Sequence, residues 1–229
     1  RAELTTLQSA VKLAAQRDHA KLRSEIASCT FRGAALRSHF DTVPLLERDH
    51  YVEEALGIAY PPLDLAALGP ELTPYQPSSY DEIVHALDAT KLAANDRFLD
   101  IGSGMGKAVL LAGLLSGATS AGIDCDESLC NLAANAAHEL KLDGASFVHG
   151  DARDVALEPA DVVFMYLPFT GSALARVMER LLTLRDRTPP RFICSGTLDR
   201  QRYPDLQPIG SSKSWLQIYA SGPPAVTLR

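Results

Sequence analysis

The segment Phe98-Leu99-Asp100-Ile101-Gly102-Ser103-Gly104-Met105-Gly106-Lys107 constrains the chain more than any other. An apolar run closes on an acid, three alternating glycines follow, and an apolar stretch resumes over Gly106–Ser116. Glycine admits positive φ and lets a ligand come close to the backbone. The pattern predicts a strand that runs through a tight turn into a helix, whose first N–H groups have no partner within the helix. Such a unit has to be packed against other strands and helices.

The residues around it supply them. Tyr80–Leu92 reads as a helix, with Ser78 or Ser79 as N-cap and Glu82 completing a loose capping box. Strands are predicted at Arg97–Ile101, Ser120–Asp124, Ala145–His149, Asp161–Leu167 and Arg191–Ser195. Helices are predicted between them at Gly106–Ser116, Glu127–Lys141 and Ser172–Leu184. Asp205–Ile209 and Ser214–Ala220 read as two further strands around a turn at Gly210–Lys213. Alternating strands and helices, with strands as apolar as Val162–Met165, imply a parallel sheet covered on both faces. The first seventy residues differ. Leu4, Leu7, Val11, Leu22 and Ile26 recur at helical intervals, and a second helix is expected over Thr42–Leu56 with Asp41 or Thr42 as cap. Pro61, Pro62, Pro70, Pro74 and Pro77 make Tyr60–Ser78 an irregular connector. The expected organisation is an N-terminal helical cap and connector over 1–71 and a ligand-binding α/β domain over 72–229, doubly wound, with a terminal antiparallel hairpin. Ligands of such sheets sit beyond the carboxyl ends of the strands.

The turn also selects among ligands. Dinucleotide enzymes space their glycines G-x-G-x-x-G and seat a pyrophosphate on the helix N-terminus. Here the third glycine comes one position early, and Lys107 stands where the last glycine would be. Asp100 at the strand end repels a pyrophosphate but accepts hydrogen bonds from an ammonium. S-adenosylmethionine (SAM) carries an ammonium and a sulfonium and no phosphate, so the turn favours it. Asp124, closing Gly122-Ile123-Asp124, suits the two hydroxyls of a ribose, a feature shared with nicotinamide enzymes. Asp151, after Phe147-Val148-His149-Gly150, can accept the adenine amino group.

Taken together, Asp-x-Gly-x-Gly-x-Gly, Gly-Ile-Asp and Gly-Asp-Ala followed by an apolar strand resemble the class I SAM-dependent methyltransferases over about Ser79–Ala220. The resemblance implies a seven-stranded, mostly parallel sheet whose last strand is antiparallel. It implies a cofactor set of Tyr80, Asp100, Gly102, Ser103, Gly104, Gly106, Asp124, Cys125, Asp151 and Ala152, with a packing residue at a helix start as the equal reading of Tyr80; no cluster of His and carboxylates has the spacing of a metal site. Ser79-Tyr80-Asp81-Glu82-Ile83 is further similar to the Tyr-Gly-Glu-Ile-like element of the non-SET histone-lysine methyltransferases and their bacterial relatives, which also begin with a helical region. That family carries an Asn-Asn-Phe type sequence after its fourth strand, where this chain has Tyr166-Leu167-Pro168-Phe169. The Asn/Asp-Pro-Pro-Tyr/Phe motif of amide and nucleobase N-methyltransferases is absent as well, so neither group supplies the acceptor.

Methyl transfer from a sulfonium needs an aligned acceptor and, for some acceptors, removal of a proton. Tyr166 is the catalytic candidate, with core packing as its other reading, at a mouth that also takes in Phe169, with Tyr75 and Tyr80 leading to it. His39, Asp41, His50 and Tyr51 are expected on a solvated surface, with a base as the other reading of each. His149 is expected in the core, and Lys107 on an exposed helix face. The formal net charge of −6 disfavours a polyanionic nucleic-acid acceptor and leaves a small molecule or a protein side chain, through nitrogen or oxygen. A SAM-binding scaffold without turnover, and a SAM-dependent cyclisation or elimination, remain as alternatives. Cys29, Cys125, Cys130 and Cys194 have no zinc-ligand spacing and are expected to be small buried thiols kept reduced in the cytoplasm. No apolar run reaches the roughly 20 residues of a membrane span, and Arg1–Ala10 lacks the pattern of a signal peptide.

Overall fold

The computed structural model describes residues 18–58, 76–166, 170–184, 190–195, 198, 199, 201–209 and 216–221. Gly210–Lys213, most of the Tyr60–Ser78 connector, Phe169 and Tyr75 lie outside them, as do the apolar positions up to Val11. Seven strands, β1 (Arg97–Ile101), β2 (Thr119–Asp124), β3 (Ala145–His149), β4 (Val162–Met165), β5 (Arg191–Ser195), β6 (Leu206–Pro208) and β7 (Leu216–Ser221), form one sheet in the order β3-β2-β1-β4-β5-β7-β6. The first five are mutually parallel. β7 is antiparallel to β5 and to β6 and is inserted between them. The predicted terminal hairpin is therefore present, with its antiparallel strand inside the sheet and β6 at the edge.

Alternation along each strand divides the core in two. Phe98, Val162, Phe164, Ile193 and Ile218 face one cluster, while Leu99, Ile101, Val163, Met165, Phe192 and Cys194 face the other. The second cluster is closed by α7 (Gly171–Thr183) through Ala173, Val177, Met178 and Leu181. The first is closed by α4 (Tyr80–Thr90), α5 (Lys107–Ser116) and α6 (Glu127–Glu139). Helix α5 is apolar all round, and its residues Lys107–Leu114 are buried, which is why it sits at the centre of this layer.

The cap adds a helix over 18–27 (α1), α2 (Gly33–Asp41) and α3 (Leu45–Leu56). Leu22, Ile26, Leu36, Phe40, Val52 and Leu56 belong to the same cluster as the sheet residues Phe98 and Phe164, so cap and sheet share one core. Helix α2 had no sequence signal at its start: its N-cap is Arg32, with no side-chain cap bond. The predicted cap at Asp41 or Thr42 is corrected, because Asp41 ends α2 and α3 begins after Pro44. The capping box at the start of α4 is complete, with Ser79 Oγ accepting from Glu82 N and Glu82 Oε2 accepting from Ser79 N at 3.0 Å.

The sheet and the glycine turn fit each other with no spare volume. A methyl group on Gly122 in β2 would lie 2.5 Å from Ser103 Oγ and 2.9 Å from the Phe147 ring. Gly122→Ala is expected to lower stability by about 1–3 kcal/mol, as overpacking does, and urea denaturation checks it. A loss below a few tenths of a kcal/mol would mean that the turn is looser than this packing.

Candidate functional site

The carboxyl ends of β1, β2 and β3 bring Asp100, Asp124 and Asp151 to one edge. Parallel register sets Asp100 beside Gly122 and Asp124 beside His149, and Gly150 N donates to Asp124 O at 2.8 Å. Between them runs the glycine turn. Gly102 N and Ser103 N both donate to Ile123 O, at 2.8 and 3.0 Å, which ties the turn to β2. Gly102, Gly104 and Gly106 all have positive φ (78°, 51° and 76°), a conformation that side chains with a Cβ resist. At Gly106 space is also decisive, since a Cβ would fall 2.6 Å from the Phe147 ring.

Asp100 is 4% exposed. No side chain or backbone group among the described residues donates to its carboxylate, and burial, together with the nearby Asp124 charge, pushes its pKa well above the usual value. Asp124 is half-buried and held in place: Oδ2 accepts from Gly104 N at 2.7 Å and Oδ1 from Asp126 N at 2.9 Å. Burial also raises its pKa, against the pull of these backbone donors. Asp151 differs. Its carboxylate is gripped by Arg153, and this partner holds its pKa below the usual value. Ala152 is buried next to it, Cys125 is exposed just after Asp124, and Ser103 is buried with its Oγ unpartnered.

Tyr166, buried, follows β4 and stacks on Phe164 with ring planes 7° apart. Its hydroxyl donates to Glu82 Oε2 at 3.4 Å, so the end of β4 meets the capping box of α4. Burial, and secondarily Glu82, pushes its pKa up to about 12. Tyr80 goes elsewhere. It is fully buried, packs edge-on against Phe40 and donates to Asp41 Oδ1 at 3.0 Å, so its hydroxyl is committed to the cap.

Several placements revise what the sequence suggested. Lys107 is 4% exposed, not on a solvated face: its Nζ lies 2.6 Å from Asp49 Oδ1 and 2.7 Å from Glu53 Oε1, both on α3. Asp49 Oδ1 also accepts from Tyr80 N at 2.7 Å, so one cap acid joins the first residues of α4 and α5. His149 is exposed because β3 is an edge strand. His39 and Tyr51 are half-buried partners, 2.8 Å apart, in an aromatic cluster with Phe31, Phe40 and His19. His50 and Asp41 are exposed, as expected. Of the cysteines, Cys130 and Cys194 are buried, but Cys29 and Cys125 are exposed; all four are free thiols.

The family model described as histone methylation protein DOT1 matches residues 73–208. The chain belongs to this family. It is a SAM-dependent methyltransferase, and the strand order β3-β2-β1-β4-β5-β7-β6 is the class I fold. A solved RNA methyltransferase from Salinibacter ruber, in complex with S-adenosyl-L-homocysteine, is similar to this DOT1-family chain over 63% of its length and 91% of the other, at 22% identity and a TM-score of 0.53. At that identity the likeness is one of fold. A SAM-dependent methyltransferase from Thiobacillus denitrificans, also in complex with S-adenosyl-L-homocysteine, overlaps 51% of this chain and 48% of its own at 24% identity, with a TM-score of 0.42. No curated protein sequence matches the chain. Among the described residues no helix is long and apolar enough to cross a membrane.

Proposed function

We propose that the carboxyl edge of β1, β2 and β3 is the SAM site, and that the chain moves the methyl group to a nitrogen or oxygen of a protein side chain or a small molecule. The observation that carries this reading is Asp100, a buried carboxylate with no donor among the described residues and a second acid beside it. Such a pair fits a cationic ligand group, and SAM brings an ammonium. When bound, SAM supplies a methyl carbon on a positively charged sulfur, open to in-line attack by a lone pair.

The chain's own residues then have distinct tasks. Asp100 and the turn Gly102–Gly106, including Ser103, hold the amino-acid end. Asp124, fixed by Gly104 N and Asp126 N, keeps lone pairs for the ribose, next to Cys125. The Asp151–Ala152 turn stands at the base. Tyr166 serves the acceptor. With a pKa of about 12 its hydroxyl stays protonated at neutral pH, so it orients an acceptor through the hydrogen bond with Glu82 and does not act as the base. Tyr80 leaves the cofactor set, because its hydroxyl serves Asp41. The family's description makes a protein amine the first acceptor to test, and the net charge of −6 suits a basic protein partner better than a nucleic acid.

Titration calorimetry with SAM tests the site, on wild type and Asp124→Ala, with NAD as control. The expected result is SAM binding that weakens roughly tenfold or more in the variant, the equivalent of a hydrogen bond to a charged group, and no NAD binding. A folded wild type that ignores SAM would sink the assignment.

A further inference from the structure

The corner between α2 and α3 stands at the same end of the fold as the carboxyl edge of the sheet. Tyr80, the first residue of α4, ties it there: its hydroxyl donates to Asp41 Oδ1 at the end of α2, and its N–H donates to Asp49 Oδ1 in α3. Glu82 in the same first turn of α4 meets Tyr166 at the end of β4. Exposure climbs along α3 toward this corner. Glu53 is buried, Asp49 half-buried, Leu45 66% exposed and Leu46 98% exposed. Pro44 before them is exposed as well. Of the large apolar residues exposed among the described residues, only Leu45 and Leu46 are neighbours. The corner is also braced. Arg48 Nε donates to Val43 O at 3.0 Å, Nη2 donates to Asp41 O at 3.1 Å, and Nη1 pairs with Asp81. A single exposed leucine is ordinary, but two side by side on a braced corner above a site form a contact surface. Its charge is acidic. Arg48 is tied to Asp81, Arg37 to Asp88, and Lys107 to Asp49 and Glu53. The carboxylate of Glu47, in the first turn of α3 beside Leu46, is exposed and has no partner among the described residues.

We propose that Pro44-Leu45-Leu46 docks the protein that carries the methyl acceptor, through a segment that sets an apolar side chain among lysines or arginines. The inference rests on reading the β1–β3 edge as the SAM site and a protein side chain as the acceptor. Leu45 and Leu46 supply the apolar contact. Glu47, with Asp41 and Asp49 on either side of it in sequence, supplies a field that draws a cationic segment and repels an anionic one. The same field opposes a nucleic acid or an anionic lipid surface. A second copy docked here across a two-fold axis would bring like patches, and so like charges, together. Because Arg48 holds the corner in shape, docking orders little of the chain, which lowers its cost.

The test is fluorescence anisotropy of the full chain with a labelled peptide repeating Lys-Lys-Leu, set against an oligolysine of equal length. Wild type is expected to bind the leucine-containing peptide roughly tenfold tighter, the worth of partly burying apolar surface on both sides. Leu45→Ser combined with Leu46→Ser is expected to bring the two peptides within about threefold of each other. Both leucines are exposed, so the change leaves the packed core alone. Glu47→Lys should weaken both peptides by several-fold and flatten their salt dependence. Calorimetry of wild type with S-adenosylhomocysteine separates this inference from the reading beneath it. A wild type that binds S-adenosylhomocysteine but shows no preference for the leucine-containing peptide, or a preference that survives in the double variant, would overturn the docking surface alone. A dimer in sedimentation that the double variant loses would give the surface to a second copy and overturn it equally. Failure of folded wild type to bind S-adenosylhomocysteine would overturn the site assignment itself, and this inference with it.

Discussion

Asp100→Asn is expected to raise the stability of the unliganded protein while lowering its SAM affinity roughly 10- to 100-fold, the worth of a charge-assisted hydrogen bond. The two effects share one cause. Asp100 is buried without a donor, and its pKa lies well above the usual 3.8 because burial and Asp124 oppose its charge. Between its unfolded and folded pKa values the native state holds a proton that the unfolded state has released. Stability of the unliganded chain is therefore full below about pH 3.8, falls as pH rises from there through the folded pKa, and levels off above it. The asparagine has no such slope. At neutral pH its gain is on the order of 1 kcal/mol, or about 2–4 °C in Tm for a chain of this size. Thermal melts from acid to neutral pH, with and without S-adenosylhomocysteine, check both halves. Equal pH dependence in variant and wild type would show that Asp100 is not the titrating group, and unchanged affinity would remove it from the ligand site. A destabilising ligand-binding residue is the ordinary form of a trade between stability and activity.

Lys107→Met is expected to destabilise the fold by about 3 kcal/mol, as removing one partner from a buried ion cluster does. The cation is 5% exposed and Glu53 10%, so the acid left behind has little access to water; Asp49, at 42%, loses less. Pairing the change with Glu53→Gln should restore part of the loss, because the buried acid that has lost the Lys107 cation is then neutral. Because Lys107 opens α5 directly after Gly106, the variant should also weaken S-adenosylhomocysteine binding. Denaturant unfolding of the single and double variants measures the coupling. A loss under about 1 kcal/mol would reduce the cluster to the worth of a surface pair.

These two residues also mark where sequence reasoning worked and where it stopped. The place of Asp100 in β1 and the glycine turn after it were legible because local chemistry dictates them: positive φ at Gly102, Gly104 and Gly106 is a backbone requirement written in residue type. The strands β1, β2, β4 and β5 were legible through their apolar runs, and α4 through its capping box. Lys107 was read as exposed because its partners, Asp49 and Glu53, lie more than fifty positions away, and no local pattern records them. His149 was read as core because strand periodicity does not say which strand is an edge; the order β3-β2-β1 decides that. Tyr80 was assigned to the cofactor by motif, but its hydroxyl direction depends on α2, a helix whose start had no capping signal. Arg153 had a visible cue, an opposite charge two residues from Asp151, yet only the folded turn shows that the two close on each other.

The strand order carries a consequence for how the chain reaches this state. β7 pairs with β5 through Phe192↔Tyr219 to Ser195↔Leu216, and β6 is joined to the sheet only through β7. Strand β6 is made before β7 but has no partner until β7 arrives. During synthesis the five parallel strands can assemble first, leaving β5 as an open edge with unpaired N–H and C=O groups. That edge is the place where a nascent chain can pair with a neighbour, and it is sealed by the last of the described strands to leave the ribosome.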